Sequence, residues 1–209
     1  RCDSQGTGLL HGTPKYSDSM ILLIPSIILL LIYSILIFYY RLVWKKIQVF
    51  IMPADALPKT KISVIIPARN EEINIATCLE SLAEQDYPKG LLEIIVADDH
   101  STDGTAGIVS RYTDTGIILL DLKNKMSDVP GSSGSKKSAI AAGIKKSSGT
   151  LIITTDADCV FPEKWLSTLV SFYETYNPVF IVGPVKFSKE KKALHVFQSL
   201  DFLSLQGIT

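Results

Sequence analysis

Residues Ile21–Tyr40 carry no charged side chain and are almost all Ile, Leu, Phe or Tyr. At about 1.5 Å per residue, a helix over that run reaches roughly 30 Å, the thickness of a bilayer core. A buried core helix is rarely apolar all round for this length. A signal peptide would be shorter and followed by a small-residue cleavage site, which is missing. The run therefore predicts one transmembrane helix over 20–44. Pro25 and Ser26 fall in its first turns, where they disrupt least, while Tyr39, Tyr40 and Trp44 suit the membrane interface. Arg41, Lys45 and Lys46 follow at once, so the positive-inside tendency puts the rest of the chain in the cytoplasm, on a single-pass N-terminal anchor. A bacterial inner membrane is the expected location.

Residues 1–19 are polar, rich in Gly, Ser and Thr and without periodicity, which predicts a disordered extension. Met20 opens the hydrophobic segment and is a candidate for the natural start. Residues 45–60 read as a linker and 61–209 as one α/β domain. Zero formal net charge argues against a nucleic-acid partner, which needs a basic face to neutralise phosphates. Cys2, Cys78 and Cys159 are odd in number and widely spaced, as are His11, His100 and His195. Neither set fits a disulfide framework or a zinc site.

From Lys61 onward short β-branched runs recur at Ile62–Ile66, Glu93–Val96, Gly116–Leu120, Leu151–Thr155 and Val179–Val182. Helical spacing fills most of the gaps. Ile75, Cys78, Leu79 and Leu82 form one stripe in a helix predicted over Glu71–Ala83, with Asn70 as N-cap and two glutamates in the first turn. Pro162 is expected to open a helix carrying Trp165, Leu166, Leu169 and Phe172. Strands alternating with helices imply an α/β fold with a mainly parallel sheet covered on both faces.

In open α/β sheets ligands bind beyond the carboxyl ends of the strands. Pro67-Ala68-Arg69-Asn70-Glu71 follows the first run, Asp98-Asp99-His100-Ser101-Thr102-Asp103-Gly104-Thr105 the second, and Asp156-Ala157-Asp158 the fourth. Parallel topology would bring all three to one edge, dense in carboxylates that repel unless a cation compensates them. Oxygen ligands favour Mg²⁺ or Mn²⁺ shared with substrate phosphates. Alternate residues of an extended segment point the same way, so Asp156 and Asp158 can address one metal, directly or through water. Asp103 suits a helix-capping role instead, with Gly104 relaxing the turn. Gly131-Ser132-Ser133-Gly134-Ser135-Lys136-Lys137-Ser138, ahead of a helix predicted over Ala139–Lys146, is either a phosphate-binding turn or a solvated surface loop. It lacks the Gly-Lys-Ser ending of a Walker A loop, and no G-x-G-x-x-G is present.

At Val64-Ile65-Ile66-Pro67-Ala68-Arg69-Asn70-Glu71-Glu72, at Asp98 to Thr105, and at Thr155-Asp156-Ala157-Asp158 the sequence resembles the family 2 glycosyltransferases. The resemblance runs from about Lys61 to Thr209 and implies a Rossmann-like GT-A nucleotide-sugar-binding domain. It places Pro67, Ala68, Arg69 and Glu71 at the nucleotide base and ribose, and Asp98 or Asp99 on the uracil or ribose side. It makes Asp158 the direct metal ligand, with Asp156 on the ribose or a metal-bound water, and sets Lys136 or Lys137 near the diphosphate.

The implied reaction is metal-dependent transfer, with inversion, from a UDP-sugar to an acceptor hydroxyl of a glycan or lipid. The family's general base comes from a later acidic motif, expected beyond Thr209. Glu163, Glu174, Glu190 and Asp201 make unconvincing bases, so the chain reads as the donor-binding half, truncated before its acceptor side. A catalytically inactive membrane-anchored nucleotide-binding scaffold is the alternative. A nucleotidyltransferase, the nearest rival fold, would show a glycine-rich basic loop where Pro67–Glu71 stands.

Overall fold

A computed structural model describes residues 16–46, 49–53, 56–123, 135–183 and 185. The chain divides into two units, 1–49 with 182–209, and Phe50–Ile181. The apolar run in the first unit forms helix α1, Tyr16–Trp44. Its stretch Leu23–Trp44 is long and apolar enough to cross a membrane, with a mean hydropathy of 2.3, and none of the stretch is buried. Two expectations shift. Residues 16–19 are helical rather than disordered, because nothing in Tyr16-Ser17-Asp18-Ser19 breaks a helix already nucleated by the apolar run. Pro25 consequently lies inside α1, where its missing N–H removes a backbone bond. The rest of the expected extension, 1–15, lies outside the described residues.

The second unit is built on β1 (Ile62–Ala68), β2 (Leu92–Asp98), β3 (Ile117–Asp121) and β4 (Leu151–Thr154). Every pair is parallel and the order is β3-β2-β1-β4. The two-residue period of a strand divides the side chains between two layers. Ile62, Val64 and Ile66 join Ile94 and Val96 beneath α2 (Ile75–Ala83), α3 (Thr105–Ser110) and α5 (Trp165–Tyr176), which contribute Leu79, Leu82, Val109, Leu166 and Val170. Each such side chain stabilises the fold by about 1.5–3 kcal/mol relative to exposure. On the other face Ile95, Ala97 and Leu120 meet Ala139 of α4 (Lys136–Lys146). A Cβ at Gly143 would stand 2.5 Å from Ile65 Cγ2, so glycine lets α4 lie close on the sheet. Both faces are covered, as a parallel sheet requires.

The expected strand Val179–Val182 does not form. Val179 and Phe180 are exposed, and no described strand pairs with them; a β-branched run without a ladder partner leaves its backbone to water. The expected linker is also partly anchored. Phe50 packs edge-on against Phe172 and Tyr176, at 5.3 and 6.0 Å between ring centres. The backbone N–H groups of Lys59 and Thr60 donate to Glu174 Oε1, both at 2.9 Å. Burial pushes the Glu174 carboxyl up, but these bonds and the Thr60 hydroxyl outweigh it and hold the group below its ordinary value.

Strand order positions the site. The chain steps from β1 to β2 to β3 on one side, then returns to place β4 on the other side of β1. The connections after β1 and β4 therefore diverge, and such a switch point leaves a crevice at the carboxyl ends. The ladders show where it opens. β1 pairs β2 through Ala68–Asp98, but pairs β4 only as far as Ile65–Thr154. Thr155 N–H donates to Ile65 C=O and Asp99 N–H to Ala68 C=O. By that alternation Pro67 turns its backbone toward β4 just past the end of their ladder, where a missing N–H breaks no bond.

Candidate functional site

A cavity of about 240 Å³ occupies this switch point. The loop after β1 contributes Pro67, Ala68, Arg69 and Glu71, the loop after β2 contributes Asp99, and the loop after β4 contributes Asp156, Ala157 and Asp158; Lys136 reaches in from the first turn of α4. Of the residues that the resemblance assigns to the nucleotide, the diphosphate or the metal, only Asp98 and Lys137 are not among those lining it. Ala157 lines it too, and only its place between two aspartates could have indicated that.

The first two loops are laced together. Asn70 adopts a left-handed backbone at φ 58° and His100 at φ 62°, conformations that Asn and His tolerate better than most residues. Asn70 N–H donates to Ser101 Oγ at 3.0 Å, and Asn70 Oδ1 accepts from Thr102 N–H at 2.8 Å. Glu71 N–H donates to Thr105 Oγ1 at 2.8 Å. Gly104 N–H donates to Glu72 Oε2 at 2.8 Å, and Glu72 N–H donates to Asp103 Oδ2 at 3.2 Å. Asn70 is therefore not an N-cap. Helix α2 starts only at Ile75, and both glutamates precede it, their backbone N–H groups bonded to Thr105 and Asp103 of the neighbouring loop. The N-cap of α3 is Gly104 and not Asp103; Asp103 stands one residue earlier and accepts from Thr105 N–H at 3.0 Å. The bond from the Thr105 hydroxyl leads in holding its carboxyl below the ordinary range.

The adjacent aspartates separate. Asp98 is the last residue of β2, fully buried, with one carboxylate oxygen accepting from the Ser101 hydroxyl. Asp99, just beyond the strand, faces the cavity with His100 Nδ1 at 3.1 Å and Arg69 Nη1 at 3.9 Å from its two oxygens.

Helix α4 begins at Lys136, three residues before the expected Ala139. Ser135 is its N-cap and accepts from Ser138 N–H in a capping box, which nucleates the helix earlier than periodicity alone suggested. Lys136 Nζ pairs with Asp156 Oδ1 at 2.5 Å, while Lys137 is exposed. Residues Gly131–Gly134 of the same segment lie outside the described residues. β4 ends at Thr154, so Asp156-Ala157-Asp158 is not extended. Cys159 N–H donates to Asp156 C=O at 3.3 Å, and a turn, rather than strand alternation, brings both aspartates to the cavity. Beneath them, burial, followed by nearby Cys159 and Asp158, pushes the Cys78 thiol up to about 12. It stays protonated, with Sγ 3.8 Å from the Asp156 carbonyl.

Among the described residues no group of three or more His, Cys, Asp or Glu is arranged to hold a metal. Two carboxylates facing an open cavity do fit Mg²⁺ or Mn²⁺, which commonly take one or two carboxylates and complete their shell with water and phosphate oxygens. Of the later acidic residues, the two described ones lie elsewhere. Glu163 borders a separate cavity with Ser81, Glu84 and Phe161, and Glu174 holds Lys59 and Thr60. Glu190 and Asp201 are outside the described residues.

Known proteins resemble this arrangement. The family model described as glycosyl transferase family 2 matches residues 63–202. Glycosyltransferase AglE of Haloferax volcanii is 33% identical over 130 residues, which are 61% of this chain and 40% of that protein. Poly(ribitol-phosphate) beta-N-acetylglucosaminyltransferase TarS of Staphylococcus aureus is 32% identical over 117 residues, 56% of this chain and 19% of that one. Among solved structures, mannosyltransferase PcManGT from Pyrobaculum calidifontis, in complex with GDP-Man and Mn²⁺, is similar with a TM-score of 0.51 and 29% identity. That match covers 66% of this chain and 39% of PcManGT. The chain thus spans 40% or less of the length of each.

Proposed function

The chain belongs to glycosyl transferase family 2, and from that premise we propose that it binds a nucleotide-diphospho-sugar between β1 and β4 and transfers the sugar, with inversion, to an acceptor hydroxyl. One observation carries this reading: residues from three separate loops, distant in sequence, line one cavity at the switch point of the sheet. The GDP-Man and Mn²⁺ bound to PcManGT support it by similarity.

In this reading Pro67, Ala68, Arg69 and Glu71 border the base and ribose. Asp99, its direction fixed by Arg69 and His100, accepts from a donor group on the same side. Asp158 and Asp156 hold Mg²⁺ or Mn²⁺, which when bound neutralises charge on the departing diphosphate. Lys136 compensates Asp156 in the free protein and offers its ammonium to the diphosphate once the donor is present. The acceptor is a glycan or lipid hydroxyl at a membrane, with α1 as the anchor and Arg41, Lys45 and Lys46 on the cytoplasmic side. Glu163 and Glu174 lie off the cavity, so the acceptor's proton is assigned to neither.

A thermal-shift panel of UDP-, GDP- and dTDP-sugars, with and without Mn²⁺, tests the proposal on the full chain in detergent. A ligand at 100 times its dissociation constant stabilises by about 2.7 kcal/mol. One donor class should therefore raise the melting temperature, and more so with Mn²⁺. No shift with any of them counts against the reading.

A further inference from the structure

We propose that Asp98 is a positioning residue, acting through Ser101 on the turn at Asn70, and makes no contact with the donor itself. The proposal rests on the nucleotide-sugar reading above. Asp98 closes β2 and shares the side of Ile94 and Val96, so its carboxylate points beneath the sheet rather than into the cavity. It is fully buried and absent from the cavity lining. One oxygen accepts from the Ser101 hydroxyl, and Ser101 Oγ in turn accepts from Asn70 N–H at 3.0 Å. Asn70 is the left-handed residue between Arg69 and Glu71, both of which line the cavity. A three-member relay thus runs from the strand end to the backbone that sets the direction of those two side chains.

Chemistry explains why the first member is a carboxylate. The Ser101 hydroxyl donates to the Asp98 carboxylate, which leaves the Ser101 oxygen to accept from Asn70. Asparagine can present an N–H instead and turn that hydroxyl around. Stability alone does not favour the carboxylate. The other oxygen of Asp98 is buried with no hydrogen-bond partner among the described residues, and a buried polar atom left unsatisfied costs the fold stability. What the carboxylate contributes is direction.

The test uses the full chain in detergent, with UDP and GDP, each with Mn²⁺, as probes. Asp98→Asn should weaken binding of the better probe by about five- to tenfold, the loss of roughly one hydrogen bond's net contribution. Its melting temperature should equal or exceed that of the unmodified chain, and the Asn70 amide should exchange faster with solvent. Ser101→Ala should weaken binding similarly, with a lower melting temperature because Asp98 loses its partner. Unchanged affinity in either variant overturns the relay, and so does a fall in melting temperature of Asp98→Asn, which marks a role in folding alone. If the unmodified chain binds neither probe, the donor reading itself falls.

Discussion

The two flanks of the cavity carry the same residue type and commit it differently. On the β1–β2 flank Glu71 and Asp99 line the cavity, but the other acidic side chains are bonded to groups of the protein itself. Asp98 holds Ser101, Asp103 holds Thr105 and Glu72, and Glu72 holds Gly104. On the β4 flank, Asp156 is half-exposed, with Lys136 as its partner across the cavity, and Asp158 borders the same space. The difference teaches what an aspartate-rich motif can mean. A carboxylate bonded to backbone or hydroxyl groups of its own fold builds a wall; one that faces open space is available to a cation or a ligand.

Removing a carboxylate from the available flank should have the largest effect. Asp158→Ala should reduce Mn²⁺-dependent nucleotide binding by about 100-fold or more, beyond the range typical of an outer-shell partner, with little change in melting temperature. Calorimetric titration of UDP or GDP at fixed Mn²⁺ checks this, and affinity within threefold of the unmodified chain breaks the comparison. A wall residue should behave in the opposite way. Asn70→Ala forces a side chain without a local acceptor into the left-handed region and removes the bond from Thr102. It should destabilise by about 2–3 kcal/mol in a denaturant titration. Asn70→Gly should recover the backbone share, leaving a loss of about 1 kcal/mol.

Much of the wall and of the sheet was legible in the sequence, but not which aspartate does what. Four of the five β-branched runs became strands because each has a ladder partner and two covered faces. Val179–Val182 has the same composition and neither, and pairing is not written in a run's own residues. The stripe within Glu71–Ala83 begins at Ile75, where α2 begins, and Glu71 and Glu72 ahead of it bond Thr105 and Asp103 of another loop, a long-range contact that periodicity cannot register. Asp98 and Asp99 are chemically identical neighbours. The one-residue difference in where β2 ends sends one beneath the sheet and the other to the cavity.

Two smaller effects sharpen the comparison. Asp103 has a folded-state carboxyl pKa below its ordinary value, led by the Thr105 hydroxyl. Its stabilisation is therefore complete above the unfolded pKa near 4 and fades as pH falls through the lower folded value. Asp103→Asn should flatten that part of the acid-unfolding curve, and an unchanged slope below about pH 4 would place the acid sensitivity elsewhere. Lys136→Ala should change stability least, by about 1 kcal/mol or less, because its ion pair with Asp156 is 61% and 53% exposed at the two side chains. Nucleotide affinity should nevertheless fall a few-fold. A stability loss larger than the affinity loss would move Lys136 to the wall.

The most direct measurement is paramagnetic broadening of backbone amide signals by Mn²⁺ in the presence of UDP or GDP. Broadening should centre on Asp156, Asp158, Ala68 and Arg69. It should spare Ser63 and Ser148, which sit with Glu93 at the opposite end of the sheet. Broadening centred at that opposite end, or none in the presence of nucleotide, would contradict a donor site between β1 and β4.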